Sequence, residues 1–295
     1  MVHIRNEGKF DENSTLLDAE FLKTKKTCAV YVIENEGKRM MIDTGEALSV
    51  RRIVKKLKKF DLFPIHKIFL THAHWDHIQG IHKLQRLMKV PEIEVYASIH
   101  AIEVLKHPEG MNEYFGYNVK PIEDVIPLKE GDIINLNGLC LKVYELFGHT
   151  PDSIALADME NKNIFVGDAL IDRIDENTYI PVLFGPSFNE SLLLKTFDKI
   201  RKIQDEFDSV SLAHYGVWKG SHCDRLINEM EDQYHLAKNS IIRWYEENPS
   251  PSYITKKYQE ELIPNSQIFT KESLMGLQWN ITQNIDTLKA AGFLE

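Results

Sequence analysis

The stretch Thr71-His72-Ala73-His74-Trp75-Asp76-His77 constrains this chain more than any other. Its side chains at positions 72, 74, 76 and 77 are all good metal ligands. The preceding run, Ile65 to Leu70, is apolar enough to be a buried strand. The following run places Ile78, Ile81, Leu84 and Leu87 at helical spacing. The motif therefore falls at a strand-to-helix turn. Alternate residues of an extended chain point the same way, so His72 and His74 can approach one ion together. Asp76 and His77 open the helix and can face a second ion beside the first. Neutral imidazole suits zinc or iron, and a carboxylate adds hardness and cancels charge. The plain alternative is a polar turn with chance histidines. Three histidines and an aspartate in six residues, directly after an apolar strand, weigh against it.

The chain around the motif reads as two strand-rich halves with helices between. Residues 1 to 24 give little signal. Thr27 to Ile33 and Arg39 to Ile42 form a hairpin about Asn35-Glu36-Gly37, which delivers Asp43 to a strand end. Asp43 there is either a turn-capping carboxylate or an acceptor that orients a ligand histidine. Ser49 to Phe60 is an amphipathic helix whose lysines and arginines lie opposite its apolar stripe, a solvated face and not a nucleic-acid patch. A strand over Ile93 to Ala97 and a short helix over Ser98 to Lys106 follow, then a loop from Asn112 to Pro127. Strands at Asp132 to Asn135 and Leu139 to Leu146 flank an Asn137-Gly138 turn and deliver His149 to another strand end. A hairpin of Ser153 to Asp158 and Lys162 to Val166 carries Asp168. A long apolar loop, Ile171 to Phe188, comes next, with Tyr179, Ile180, Val182, Leu183, Phe184 and Phe188 as core or pocket wall. A helix over Ser191 to Ile203 and a strand over Ser209 to Ala213 lead to His214. Three helices follow, at Arg225 to Glu247, Tyr253 to Leu262 and Leu274 to Ala291. The other histidines, at 3, 66, 82, 100, 107, 222 and 235, lack ligand spacing and read as structural or exposed.

The motif at 72 to 77 resembles the H-x-H-x-D-H signature of the metallo-β-lactamase superfamily. In order along the chain, Asp43-Thr44-Gly45 is similar to the family's early D-T-G turn, Gly148-His149-Thr150 to its third motif, Gly167-Asp168 to its fourth and Ala213-His214 to its fifth. The resemblance covers roughly residues 25 to 225. It implies an α/β fold, a four-layer αββα sandwich of two mixed β-sheets, with a metal site along one open edge. On this reading residues 1–223 form the metallo-β-lactamase-like domain and residues 224–295 a helical extension, whose end resembles the winged-helix-like C-terminal segment of some family hydrolases. The resemblance also implies that His72, His74 and His149 bind one divalent ion, that Asp76, His77 and His214 bind another, and that Asp168 bridges them. Zinc is the expected metal, with iron or manganese as alternatives. Where family members often carry Gly this chain has Asp152, which bears on the local turn and not on the ligand.

The implied activity is that of a metal-dependent hydrolase, with metal-bound hydroxide at a dinuclear site attacking an ester, thioester or lactone. Asp76 and Asp168 belong to the catalytic centre. Tyr215 is a candidate oxyanion donor or substrate contact, or else a buried aromatic with its hydroxyl satisfied. The alternatives on the same ligand set are a phosphodiesterase or nuclease, and an iron-dependent redox enzyme of the sulfur-dioxygenase or di-iron type. A net charge of −9 argues against a polyanion-binding surface, so a small-molecule substrate is expected and nucleic acid is not. No apolar run approaches the ~20 residues of a membrane helix. Glu7, Asp11 and Glu12 stand where a secretory leader would be apolar, and the three cysteines, Cys28, Cys140 and Cys223, form no C-x-x-C. The expectation is a cytoplasmic protein whose C-terminal helices cap the sandwich or mediate a homodimer.

Overall fold

The computed structural model describes residues 2–88, 92–270 and 274–295. After β1 (Val2–Ile4), which crosses to the far side of the molecule, one sheet is laid down in chain order. It comprises β2 (Gly8–Lys9), β3 (Ser14–Asp18), β4 (Ala29–Asn35), β5 (Lys38–Ile42), β6 (Lys67–Phe69), β7 (Glu94–Ser98) and β8 (Val125–Leu128). Pairing is antiparallel from β2 to β5 and parallel from β5 to β8. The β4–β5 hairpin turns through Glu36 and Gly37, both at positive φ, as a two-residue turn matched to strand twist requires. Parallel pairing needs crossovers, and α1 (Val50–Lys59), α2 (Trp75–Ile78), α3 (Ile81–Met88) and α4 (Ile102–Lys106) lie along them.

The second sheet contains β9 (Ile133–Leu136), β10 (Leu139–Glu145), β11 (Ile154–Asp158), β12 (Asn163–Gly167), β15 (Ser209–Leu212) and β16 (Gly216–Lys219), with β1 on its edge. Its order is β1-β16-β15-β12-β11-β10-β9, and only β12 and β15 pair in parallel. Between β12 and β15 a separate hairpin forms from β13 (Asp172–Asp175) and β14 (Thr178–Ile180), followed by α6 (Glu190–Ile203).

Strand alternation builds the layers. Leu16, Tyr31, Ile33, Met40, Ile42 and Phe69 face the second sheet and share a core with Leu141, Val143, Leu156 and Phe165. Their neighbours Leu17, Val30, Val32, Met41 and Ile68 face outward onto Val50, Ile53 and Leu57 of α1 and Leu84 of α3. The result is the expected αββα sandwich. The helices α7 (Ser221–Glu247), α8 (Pro251–Glu261) and α9 (Met275–Ala290) cover the other side. The expected boundary at 223/224 falls in the first turn of α7, and Tyr234, Trp244, Tyr258, Ile281 and Leu288 join the same apolar core as the sandwich. Among the described residues no strand follows β16, and the regular elements of this end are all helices. No helix of the described residues is long and apolar enough to cross a membrane.

Three sequence expectations need correction. The uninformative residues 1–24 hold three strands. The expected loop from Asn112 to Pro127 contains the end of a helix, α5 (Glu109–Phe115), and most of β8. Gly110 and Asn112 are poor helix formers, and α5 buries none of its residues fully, so no apolar stripe announces it. The expected loop from Ile171 to Phe188 contains the β13–β14 hairpin, whose Glu176-Asn177 turn carries no glycine or proline.

Candidate metal centre

The strand ends of both halves deliver all seven expected side chains to one place. His72 and His74 leave β6 on extended chain, with His74 at φ −69° and ψ 148° before the single turn of α2 that carries Asp76 and His77. His149 follows β10, Asp168 follows β12 and His214 follows β15. Two glycines explain the fixed neighbours of these residues. A Cβ on Gly167 would lie 2.6 Å from Thr71, and one on Gly148 would lie 2.4 Å from the backbone of Leu193. Both residues also have positive φ, so only glycine brings Asp168 and His149 this close to the motif.

The donor atoms form three overlapping groups: His72, His74 and His149; His72, His77 and Asp168; and Asp76, His77 and His214, all buried. His149 Nε2 lies 3.2 Å from His72 Nε2 and 2.9 Å from His74 Nδ1. Asp168 Oδ2 lies 3.3 Å from His77 Nε2, 3.6 Å from His214 Nε2, 3.7 Å from His149 Nε2 and 3.8 Å from His72 Nε2, so it stands between the groups. Asp76 Oδ2 is 3.3 Å from His214 Nε2 and 3.6 Å from His77 Nε2.

Hydrogen bonds behind the rings fix which nitrogen faces inward. His149 Nδ1 donates to the Val182 carbonyl at 3.0 Å and His214 Nδ1 to that of Thr27 at 2.6 Å. His77 Nδ1 donates to Asp43 Oδ2 at 2.8 Å. The Thr71 hydroxyl donates to the same oxygen at 2.8 Å, which leaves it an acceptor for His72 Nδ1 at 3.2 Å. With Nδ1 protonated, the neutral rings of His72 and His149 each carry a bare lone pair on Nε2. Lone pairs 3.2 Å apart repel unless a cation lies between them, and His77 Nε2, for all its neighbouring carboxylates, and Asp168 Oδ1 are buried without a hydrogen bond among the described residues. This donor set fits divalent metal. Asp43 is thereby an orienting acceptor, which also takes Thr71 N at 2.9 Å. Asp152, buried, accepts a hydrogen bond from the Ala73 amide at 2.8 Å and so holds the extended chain between His72 and His74.

The electrostatics divide the centre. Burial, aided by neighbouring imidazoles, holds His72 well below the ordinary histidine range, and burial and His149 press His74 down to about 3. Burial pushes His214 down too, but Asp168, Asp172 and Asp76 overrule it and raise the ring to about 10. His77 is likewise depressed by burial and raised overall by Asp168, Asp76 and Asp43. One side of the centre is thus poised as neutral imidazole, while the carboxylates on the other side demand positive charge, which a divalent ion would supply.

A cavity opens on this centre. Apart from the donors His74, Asp76, Asp168 and His214 its walls are mostly apolar: Phe21, Leu22, Trp75 and Phe115 on one side, Ile174, Ile180 and Phe184 on another. Of the apolar loop residues, Ile180 and Phe184 line it, whereas Tyr179, Val182, Leu183 and Phe188 are core. Tyr215 does not line it: the side chain is buried and its hydroxyl donates to the Arg5 carbonyl at 3.2 Å. Trp218 is fully buried under His3, ring centroids 4.0 Å apart. The sequence reading missed the wall supplied by Ile268, Phe269 and Trp279 from the C-terminal segment. Trp279 stacks on Phe184 with centroids 6.2 Å apart and meets Phe21 at 5.9 Å. A lone aromatic on a helix gives no sign of which distant wall it completes. Cys28, Cys140 and Cys223 are free and belong to none of the donor groups.

A profile of the metallo-beta-lactamase superfamily matches residues 24–209, and the chain belongs to that superfamily. Hydroxyacylglutathione hydrolase 1 of Vibrio vulnificus is 27% identical over 194 residues, 63% of this chain and 66% of that one. The acyl-coenzyme A thioesterase MBLAC2 of Homo sapiens is 24% identical over 178 residues, 53% of this chain and 63% of that one. The chain thus spans just under two thirds of either relative. Among solved structures, a beta-lactamase domain protein from Burkholderia ambifaria is similar with a TM-score of 0.64 at 16% identity, over 97% of this chain and 88% of that one, a span that takes in the C-terminal helices.

Proposed function

We propose that the protein is a divalent-metal-dependent hydrolase of acyl thioesters. His72, His74 and His149 would hold one ion, Asp76, His77 and His214 a second, and Asp168 would bridge them; zinc is the ion that this imidazole-rich set suits best. When bound, such ions lower the pKa of water and polarise a carbonyl. The chain's own residues do the rest. Asp43, Val182 and Thr27 hold the rings of His77, His149 and His214 in the tautomer that turns a lone pair inward. Asp152 fixes the backbone between His72 and His74. Phe21, Phe115, Phe184 and Trp279 exclude bulk water and offer an apolar surface to an acyl group.

The observation that carries the reading is this cavity: it opens on the donor cluster, its walls are mostly aromatic and aliphatic, and among the described residues no lysine or arginine lines it. A phosphodiester substrate would call for such cations. Arg173, a basic residue in the preceding hairpin, is buried over the rings of Tyr179 and Trp218. The relatives named for hydrolysis of hydroxyacylglutathione and acyl-coenzyme A favour a thioester among acyl substrates. The test is a panel of thioester, ester, lactone and phosphodiester substrates on protein reconstituted separately with zinc, manganese and iron. The highest kcat/KM is expected on an acyl thioester. Turnover of bis(p-nitrophenyl) phosphate with none of any acyl substrate would overturn the assignment.

A further inference from the structure

One wall group of the cavity is used neither by the donor cluster nor by the packing. Alternation along β13 turns Asp172 and Ile174 toward the cavity, while Arg173 lies over the Tyr179 and Trp218 rings and Asp175 faces Arg5. Ile180, the cross-strand partner of Asp172, lines the same wall. Asp172 is only 9% exposed, belongs to none of the donor groups, and takes no hydrogen bond or ion pair from the described residues. It lines the cavity together with the donors His74, Asp76, Asp168 and His214. The cavity's Thr27 hydroxyl, by contrast, is committed to Thr24 and Phe21. A buried carboxyl without a partner is costly, and an apolar side chain would serve the wall better. Such a group persists where a ligand supplies the missing donor.

We infer that Asp172 is a specificity-determining residue that accepts a hydrogen bond from a hydroxyl or ammonium group carried by the acyl substrate beside its scissile carbonyl. The inference rests on the acyl-thioesterase reading. A substrate that carries a donor satisfies the carboxyl, whereas one without buries the acceptor unpaired, which is how a polar site rejects an apolar analogue.

The test compares a straight-chain acyl thioester with its 2-hydroxy and 2-amino analogues on the same thiol. Zinc-loaded wild type, Asp172→Ala and Asp172→Leu are compared, with metal content and melting temperature measured alongside. Wild type is expected to favour a donor-bearing substrate by roughly 10- to 100-fold in kcat/KM. In both variants that ratio falls to about one, with ion content retained and melting temperature held or raised. A preference for the 2-amino over the 2-hydroxy substrate assigns the donor as ammonium, and the reverse as hydroxyl. A wild-type ratio near one, a ratio unchanged in the variants, or loss of metal in both variants would overturn the inference while leaving the thioesterase reading standing. Wild type that turns over none of the thioesters overturns that reading, and the inference with it.

Discussion

Asp43→Asn tests how the centre is held together. The Asp43 carboxylate takes three hydrogen bonds, from Thr71 N at 2.9 Å, the Thr71 hydroxyl at 2.8 Å and His77 Nδ1 at 2.8 Å. Its φ of 59° is left-handed, which asparagine tolerates, so the substitution spares the backbone. The amide can still accept from Thr71 N, but its NH2 then faces two donors. The hydroxyl can rotate away. His77 can escape only by moving its proton to Nε2, the nitrogen turned to the cluster. One hydrogen bond to a charged group is worth roughly 1.5–3 kcal/mol. At about 1.4 kcal/mol per tenfold, that is about 10- to 100-fold in metal affinity, the usual size of such effects. The loss should fall mainly on the group of Asp76, His77 and His214. Competition against a chelator, read as two release steps, measures it. Both steps unchanged within about threefold, in a protein that melts normally, would refute the orienting role.

Trp279→Ala should raise KM for a medium-chain acyl thioester by roughly tenfold through lost apolar contact, with metal content intact; an unchanged KM would show that this wall does not meet substrate. Deleting residues 248–295 removes α8 and α9, whose Tyr258 and Leu288 share the sandwich core and whose Tyr258 hydroxyl donates to the Tyr179 carbonyl at 2.8 Å. A marked fall in melting temperature or solubility is expected, and unchanged melting would instead mark the tail as an independent module. Burial lowers the pKa of His3 to about 4, so the folded protein keeps it neutral where the unfolded chain, near 6.5, takes up a proton. Unfolding then binds the extra proton, and stability is lost as pH falls from about 6.5 toward 4. His3→Phe should flatten the melting-temperature profile in that window, and an identical slope would contradict this.

The clustered residues were legible because several rare, ligand-type side chains fall in short, strand-anchored runs. His72, His74, Asp76 and His77 announce themselves within one turn of chain, and Asp43 did so by following a hairpin. What stayed hidden depends on distant partners. Strand β1 is three residues long and owes its existence to Val217, Trp218 and Lys219 of β16, at the far end of the sandwich. Strand β8 carries Pro127, which argues against a strand in sequence but is tolerated on the sheet edge that β8 occupies. Asp172 looked like one more acid in a loop, because only the β13–β14 pairing separates it from Arg173 and Asp175. Tyr215, adjacent to a donor histidine, is a natural candidate by position, yet from the β15–β16 turn its hydroxyl reaches the Arg5 carbonyl instead.

Titrating metal-free protein with zinc while following hydrolysis of an acyl thioester tests the dinuclear reading most directly. The placement of Asp168 Oδ2 within 3.8 Å of four imidazole nitrogens predicts activity that rises to a break at about two equivalents per chain. Asp168→Ala should weaken both binding steps together. Full activity at one equivalent, or loss of only one ion in Asp168→Ala, would contradict a shared, bridged centre.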